Sequence, residues 1–175
     1  QYLEANEQAI KNIENIIKKE NIQCDFEYQD NYVYTMQKSE VPKIEKEVEA
    51  LKILNFPAKY VTKNDLPLNI LAAIQFPNQA QFHPAKYAKG LIKSIENKIQ
   101  IYENTKVTEL HKIEDLYEIL TEEGKKIISK NVVVATNYPI FNAPGFHFLK
   151  MYQSISYLMA FETNQNIFEG MHINS

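Results

Sequence analysis

The sequence contains no arginine, because all 19 of its basic residues are lysines. Guanidinium groups clamp carboxylates and phosphates through paired hydrogen bonds, so an anionic ligand must be held here by lysine, hydroxyl groups or backbone amides. The single cysteine, Cys24, excludes an intrachain disulfide and a cysteine-based metal site. We interpret Cys24 as a small buried hydrophobe, and its isolation leads us to expect a cytoplasmic protein.

Glycine is also scarce. The four glycines, Gly90, Gly124, Gly145 and Gly170, are isolated from one another, and neither a GxGxxG motif nor a P-loop can be written from them. The phosphate-binding turn that a dinucleotide requires is therefore missing from this sequence. No stretch approaches the roughly 20 apolar residues of a membrane span. Because the chain starts at Gln1 without a methionine or a signal-like segment, we expect an excised piece of a longer protein.

Charge and histidine spacing exclude two further classes of function. The net charge of −3 and an isoelectric point near 5.9 argue against a nucleic-acid partner, since phosphate binding needs a clustered basic face. The histidines lack metal-ligand spacing, so we predict no metal site; they are His83, His111, His147 and His172. With 45% hydrophobic residues, the chain can form one domain, or one domain and part of another.

Apolar residues at helical spacing predict three amphipathic helices. They cover residues 2–20, a segment after Ser39, and a segment that begins at Pro84, where proline suits the first helical turn. Gly90 lies inside the third helix and costs about 1 kcal/mol relative to alanine, so we expect it to pack closely against a neighbour.

Alternating and β-branched residues predict the strands. The first part of the chain should form a hairpin turning at Asp30 and Asn31, a strand at 59–61, and a strand in NILAAIQFP that ends at Pro77. The later part should form a strand at 99–102, a meander at 106–113, 116–121 and 125–128, a buried central strand at 132–134, and a long strand in KMYQSISYLMAFET. These elements predict an α+β fold.

Two groups of residues are candidates for binding. Ala135, Thr136 and Asn137 follow the apolar run at 132–134, where ligands of open α/β sheets bind. Gln75, His83 and Tyr157 are candidates for a substrate pocket, because they lie on or beside predicted strands that could form its wall. For His83 an alternative stays open, namely a helix-terminal residue that bonds to the first turn.

Three segments carry a resemblance to a known family: FPNQAQFHPAKYAKGLIKSIENKIQIYENTKVTEL, YEILTEEGKKIISKNVVVATNYPIF and MYQSISYLMAFE. In this order they resemble the middle of FAD-dependent oxidoreductases of the glycine, sarcosine and D-amino-acid oxidase superfamily. The family's T-x-V strand is matched by Thr105 to Val107, and its VVxAT strand by Val132 to Thr136. The FPNQAQFHP segment looks most like bacterial members with an additional C-terminal Rieske-type domain.

The resemblance implies FAD as cofactor, with contacts at Val107, Ala135, Thr136 and Asn137. It implies a substrate-binding domain begun by residues 1–82, part of a Rossmann-like FAD-binding domain at 83–139 with a meander and one central strand, and a return to the substrate-domain sheet at 140–175. It also implies that the glycine-rich and flavin-closing segments belong to missing N- and C-terminal parts of the same polypeptide.

The expected activity of the parent is oxidation of an amine or amino-acid C–N bond by hydride transfer to flavin. Because the glycine loop is absent, we expect this chain alone to be inactive and not to retain FAD. The alternative from another class is a non-catalytic module of the same α+β type that binds small molecules or partner proteins.

Overall fold

The computed structural model describes residues 1–62, 69–141, 145–164 and 169–175. Contacts divide the chain into a first unit, Gln1–Ile99 with Glu162–Ser175, and a second unit, Gln100–Phe161. These boundaries differ from the predicted divisions after residues 82 and 139, and the third helix groups with the first unit. The functional names given to the predicted domains stay predictions.

The elements follow the chain in a mixed order of helices and strands. In sequence they are α1 (Tyr2–Glu20), β1 (Glu27–Thr35), α2 (Val41–Ile53), β2 (Lys59–Val61), β3 (Ala72–Gln81), α3 (Pro84–Ile95), β4 (Val107–Ile113), β5 (Leu116–Thr121), β6 (Lys126–Ser129), a 3-10 turn (His147–Leu149) and β7 (Met171–Asn174). Helices α1, α2 and α3 and the meander β4 to β6 agree with the sequence prediction. The α+β class is thereby confirmed.

The first unit is built on a four-stranded sheet in the order β2-β3-β1-β7. Strand β3 is antiparallel to β1 and β2, whereas β7 is parallel to β1. Helix α2 covers one face of this sheet, because its apolar stripe forms a buried cluster with residues of β3. That cluster consists of Ile44, Val48, Leu51, Phe56, Ala72 and Ile74.

The predicted hairpin at Asp30 and Asn31 is wrong, because both residues lie inside the continuous strand β1. Opposite them β3 carries an extra residue: Gln29 pairs with Gln79, and Asn31 pairs with Phe76. The Asp30 carboxylate accepts a hydrogen bond from the Asn78 backbone N–H at 3.2 Å. The polar pair that resembles a turn in the sequence therefore stabilises a β-bulge on the neighbouring strand.

The predicted end of β3 at Pro77 is also wrong, because the strand continues to Gln81. Proline lacks an N–H donor and is tolerated in a sheet mainly at edges and bulges. Pro77 lies at the bulge, next to Asn78 with its positive φ of 54°. The missing donor therefore falls where the ladder is already interrupted.

Strand β7 is absent from the sequence prediction. Its residues, Met171–Asn174, pair with residues 31–34 of β1. Four residues give too short a pattern for periodicity to be detected. They are recognised as a strand only through their pairing with β1.

Gly90 brings α1 and α3 into close contact, as predicted from the sequence. A Cβ atom on Gly90 would lie 3.0 Å from Ile22 Cγ1 and closer still to Ile22 Cγ2. Ile22 follows Asn21, which caps the C-terminus of α1 in the left-handed conformation with φ 52°. The absence of a side chain at Gly90 is thus the condition for this packing.

The second unit contains the three-stranded antiparallel sheet β4-β5-β6. Gly124, at φ 78°, allows the turn between β5 and β6, and its N–H donates to the Thr121 carbonyl at 2.8 Å. The meander and its glycine turn therefore agree with the sequence prediction.

Three other predicted strands, at 99–102, at 132–134 and in the segment 150–163, form no ladder within the part of the chain that the structure describes. The central position predicted for 132–134 is wrong for this structure, since the Val133 side chain is 88% exposed. Tyr157, expected on the long strand, is 90% exposed. Apolar or alternating residues make a strand possible, but the strand forms only where a second strand pairs with it.

Candidate functional site

The second unit has a pocket of about 470 Å³ between the β4–β5 face and the segment that follows β6. Its lining is mostly aliphatic. The described residues around it are Thr105, Lys106, Val107, Leu110, Ile119, Val132, Val133, Val134, Ala135, Thr136, Ile140 and Phe141. Three of the four predicted cofactor residues, Val107, Ala135 and Thr136, therefore lie around one pocket.

The two sides of this pocket have different backbone structures. Val107 opens β4 opposite Thr121, and the register shifts between Val107 and Glu109. Thr136 lies in an irregular segment, where its hydroxyl donates to the Tyr138 carbonyl at 2.8 Å. Asn137, the fourth predicted cofactor residue, is exposed and is not among the pocket-lining residues.

The pocket has little net charge. Its cation, Lys106, forms an ion pair with Glu122 at 2.8 Å, and both side chains are exposed. The hydrogen bond to Glu122 raises the pKa of Lys106 above its usual value. An aliphatic pocket with a compensated lysine suits an uncharged ring better than a phosphate group.

Gln75, a predicted substrate-pocket residue, belongs to a polar cluster on the sheet of the first unit. Its amide nitrogen donates to the Asp30 carboxylate at 2.5 Å and to the Tyr32 hydroxyl at 3.1 Å. The Tyr32 ring stacks on the His172 imidazole, with centroids 4.8 Å apart and planes at 6°. Gln75 and His172 are both register partners of Tyr32, so three strands place these side chains in one row.

Sequence reasoning missed two members of this polar cluster. Asp30 was assigned to a turn, and His172 lies in the unpredicted strand β7. The alternation of Asp30 and Tyr32 along one strand was the available signal for Asp30. No sequence pattern indicated that His172 would lie beside Tyr32.

Burial lowers the pKa of His172, although a backbone hydrogen bond to Gly170 opposes the shift. Folding then disfavours protonation, so the unfolded chain binds more protons once the pH falls through the usual histidine range. We expect the stability of the first unit to decline below about pH 6.5. In urea unfolding between pH 5 and 8, His172→Gln should flatten this decline.

The matched control for that experiment is His111→Gln, because His111 is exposed on the meander of the second unit. The control should retain the pH dependence of the parent chain. An unchanged pH slope in His172→Gln would contradict the assignment.

His83 caps helix α3, which favours the helix-terminal interpretation. Its Nδ1 accepts a hydrogen bond from the Lys86 N–H at 3.5 Å. It also borders a separate pocket of about 420 Å³, which Gln75 does not line. The structure therefore does not bring His83 and Gln75 together, and Tyr157 belongs to the second unit.

Two negative findings apply to the described ranges 1–62, 69–141, 145–164 and 169–175. No group of three or more histidine, cysteine, aspartate or glutamate side chains there could hold a metal ion. None of the helices in those ranges combines the length and the apolar content that crossing a bilayer requires.

Comparisons with known proteins give a family match, a relative of moderate sequence identity and several solved structures. The model of the DAO family, described as FAD dependent oxidoreductase, matches residues 1–172. A protein of Bacillus subtilis (strain 168), YhfW, named as a Rieske 2Fe-2S iron-sulfur protein, is 33% identical over 174 residues, which are 99% of this chain and 34% of that protein. The chain thus spans about a third of the length of this relative.

Solved structures share the fold at low sequence identity. Glycine oxidase from Geobacillus kaustophilus has a TM-score of 0.66 at 14% identity, covering 77% of this chain and 38% of that one. Iminodiacetate oxidase from Chelativorans sp. BNC1 has a TM-score of 0.55 at 13% identity, covering 69% and 36%. With the family model matching nearly the whole sequence, this chain belongs to the DAO family of FAD-dependent oxidoreductases.

Proposed function

We propose that this chain is part of an enzyme that oxidises a C–N bond of an amine or amino acid, and that its second unit contributes one side of the FAD site. The observation that carries the proposal is the arrangement of Val107, Ala135 and Thr136 around one aliphatic pocket. Support also comes from the names of relatives, which include a glycine oxidase and an iminodiacetate oxidase.

The pocket fits one part of FAD. Its aliphatic walls suit the adenine ring, and Ala135 and Thr136, which belong to no strand, have backbone groups that can donate to or accept from the adenosine. A pyrophosphate needs converging N–H donors or unpaired cations, and Lys106 is already paired with Glu122. We therefore assign Val107, Ala135, Thr136 and Asn137 to the adenosine side and assign the pyrophosphate to other parts of the polypeptide.

When bound, FAD supplies the two-electron acceptor for oxidation of the C–N bond. The residues of this chain would bind and orient the cofactor and the substrate. Val107 and Ala135 would exclude water from the adenosine side, and the polar cluster around Gln75 would provide hydrogen-bonding groups for a small substrate. His83 and Tyr157 remain candidates for the same substrate pocket in the assembled enzyme.

The chain alone should be inactive and should bind FAD weakly or not at all. It covers about a third of YhfW, and its sequence has no glycine-rich phosphate-binding loop. The absorbance of the purified chain between roughly 350 and 500 nm, the flavin region, measures the FAD that it retains. Titration with FAD measures its affinity for the cofactor. A yellow sample with stoichiometric FAD would overturn this part of the proposal.

The adenosine assignment is tested in a longer product of the same gene that binds FAD. Val107→Glu should weaken FAD binding by about tenfold or more, because it buries a carboxylate in the aliphatic pocket near the nucleotide. The control is Ile128→Glu, since Ile128 lies on the same meander, is 55% exposed, and is not a lining residue of this pocket.

Equal FAD affinity in the two variants would contradict the assigned pocket. If none of the longer products of the gene binds flavin or supports its reduction, the alternative of a non-catalytic binding module is favoured instead. Screening flavin bleaching with amines and N-methyl amino acids then identifies the substrate of a product that does bind FAD.

A further inference from the structure

A groove of about 660 Å³ runs between the C-terminal end of α1 and helix α3 in the first unit. We call it the basic groove, because lysines dominate its charged lining. The lining residues are Lys19, Glu20, Asn21, Ile22, Gln23, Lys86, Lys89, Gly90, Lys93 and Ser94. It contains none of the residues assigned above to FAD or substrate.

The charge of the basic groove is opposite to that of the whole chain. Its lining has four lysines and one glutamate, a formal sum of +3, whereas the chain carries −3. Lys86 pairs with Asp25 at 2.6 Å, and Lys19 pairs with Glu20 at 3.5 Å. Within the part of the chain that the structure describes, Lys89 and Lys93 have no ion pair.

The floor of the basic groove is fixed by the packing of the two helices. Ile22 is 5% exposed and fills the space left by the missing side chain of Gly90. The lysines therefore stand along the rim of a shape set by buried contacts. A preformed rim favours binding, because little backbone order is lost when a ligand arrives.

The spacing of the lysines favours an extended ligand over a compact one. Lys89 and Lys93 are one helical turn apart, about 6 Å along the axis, and Lys86 lies about 10 Å from Lys93 along it. Alternate side chains of an extended peptide are about 7 Å apart. Carboxylates at alternate positions of such a peptide would thus match successive lysines of α3.

A compact phosphate would find fewer suitable groups. Phosphate sites usually combine converging backbone N–H groups or guanidinium forks. The chain has no arginine, so a compact phosphate would have to be held here without a guanidinium fork.

We propose that the basic groove binds an extended acidic segment of a partner protein, with carboxylates at alternate positions contacting Lys89 and Lys93. This inference is independent of the flavin chemistry proposed above. Steering by opposite charge would speed the encounter and make it sensitive to salt.

The test uses a fluorescein-labelled peptide of alternating glutamate and serine, about eight residues long, which spans the groove when extended. Binding to the chain is followed by fluorescence anisotropy. Lys89→Glu with Lys93→Glu should weaken binding by about tenfold or more, and raising the salt from about 50 to 200 mM should weaken binding to the parent chain.

The matched control is Lys46→Glu with Lys52→Glu, because these lysines are exposed on α2 and the substitutions change the net charge equally. The control should keep the peptide affinity within about twofold. Circular dichroism confirms the fold of each variant. If the charge-reversed α3 variant does not fold, Lys89→Gln with Lys93→Gln replaces it, with an expected loss of about threefold or more.

Three results would overturn the proposal. Equal weakening in the α2 and α3 variants would show that net charge alone governs binding. Displacement of the peptide by about 1 mM inorganic pyrophosphate at constant ionic strength would indicate a small-anion site. Binding to phosphatidylserine vesicles that depends on Lys89 and Lys93, without binding to the peptide, would indicate a membrane surface.

Discussion

Replacing Ile74 by alanine is expected to lower the free energy of unfolding of the first unit by about 2 to 5 kcal/mol. Ile74 is 2% exposed and lies at the centre of the cluster between α2 and β3. Truncation removes apolar contacts and leaves a cavity that helix α2 cannot fill without moving. Urea unfolding followed by far-ultraviolet circular dichroism measures the change.

Ile173→Ala is the matched control for this substitution. Ile173 lies on β7 of the same sheet, but its side chain is 54% exposed. The same truncation should therefore cost about 1 kcal/mol or less. Both residues are register partners of Val33, so similar losses at the two positions would contradict burial as the source of the difference.

Gly90→Ala should destabilise the chain, although alanine is the better helix former. The gain in helix propensity is about 1 kcal/mol. The new Cβ would overlap Ile22, whose branched and buried side chain cannot turn away easily. Overpacking costs about 1 to 3 kcal/mol, so after the gain in helix propensity we expect a net loss of up to about 2 kcal/mol by urea unfolding.

A double-mutant cycle with Ile22→Ala tests the cause of that loss. In the Ile22→Ala background, Gly90→Ala should cost less or become stabilising, because the overlapping methyl groups are gone. The coupling between the two positions should be about 1 kcal/mol or more. If the two changes are additive, the tight contact between Ile22 and Gly90 is not the source of the destabilisation.

The sequence predicted those parts of the fold that depend on local pattern. The helical stripe of α2 and the proline at the start of α3 identified both helices. Gly124 identified the turn of the meander. The isolation of Gly90 within a helix indicated a close contact, because glycine is unfavourable there without a packing reason.

Prediction failed where an element depends on a distant neighbour. Asp30 stabilises a bulge on β3, which lies 48 residues away at Asn78, and β7 exists only through pairing with β1. Residues 132–134 have the composition of a buried strand, yet no described strand pairs with them. A strand is a property of two segments, and a pattern in one of them cannot supply the second.

The residues of the candidate site also fall into two groups, those that the sequence identifies and those that only tertiary contacts identify. The motif resemblance identifies Val107, Ala135 and Thr136 from sequence alone, and these residues line one pocket. The sequence also named Gln75, but only the sheet register put it in contact with Asp30 and Tyr32. Asp30, His172 and the basic groove could not be deduced, because each depends on contacts between segments far apart in the chain.

By itself the sequence determined the α+β class, the family, the lack of a glycine-rich phosphate loop and the lack of any arginine. These four properties follow from local patterns and from composition, which can be read without knowing which segments of the chain contact one another. Only the tertiary structure decided the bulge at Asn78, the row across β3, β1 and β7, and the lysine groove over Gly90. The physical reason is that register and helix packing bring together residues whose separation in sequence carries no periodic signal.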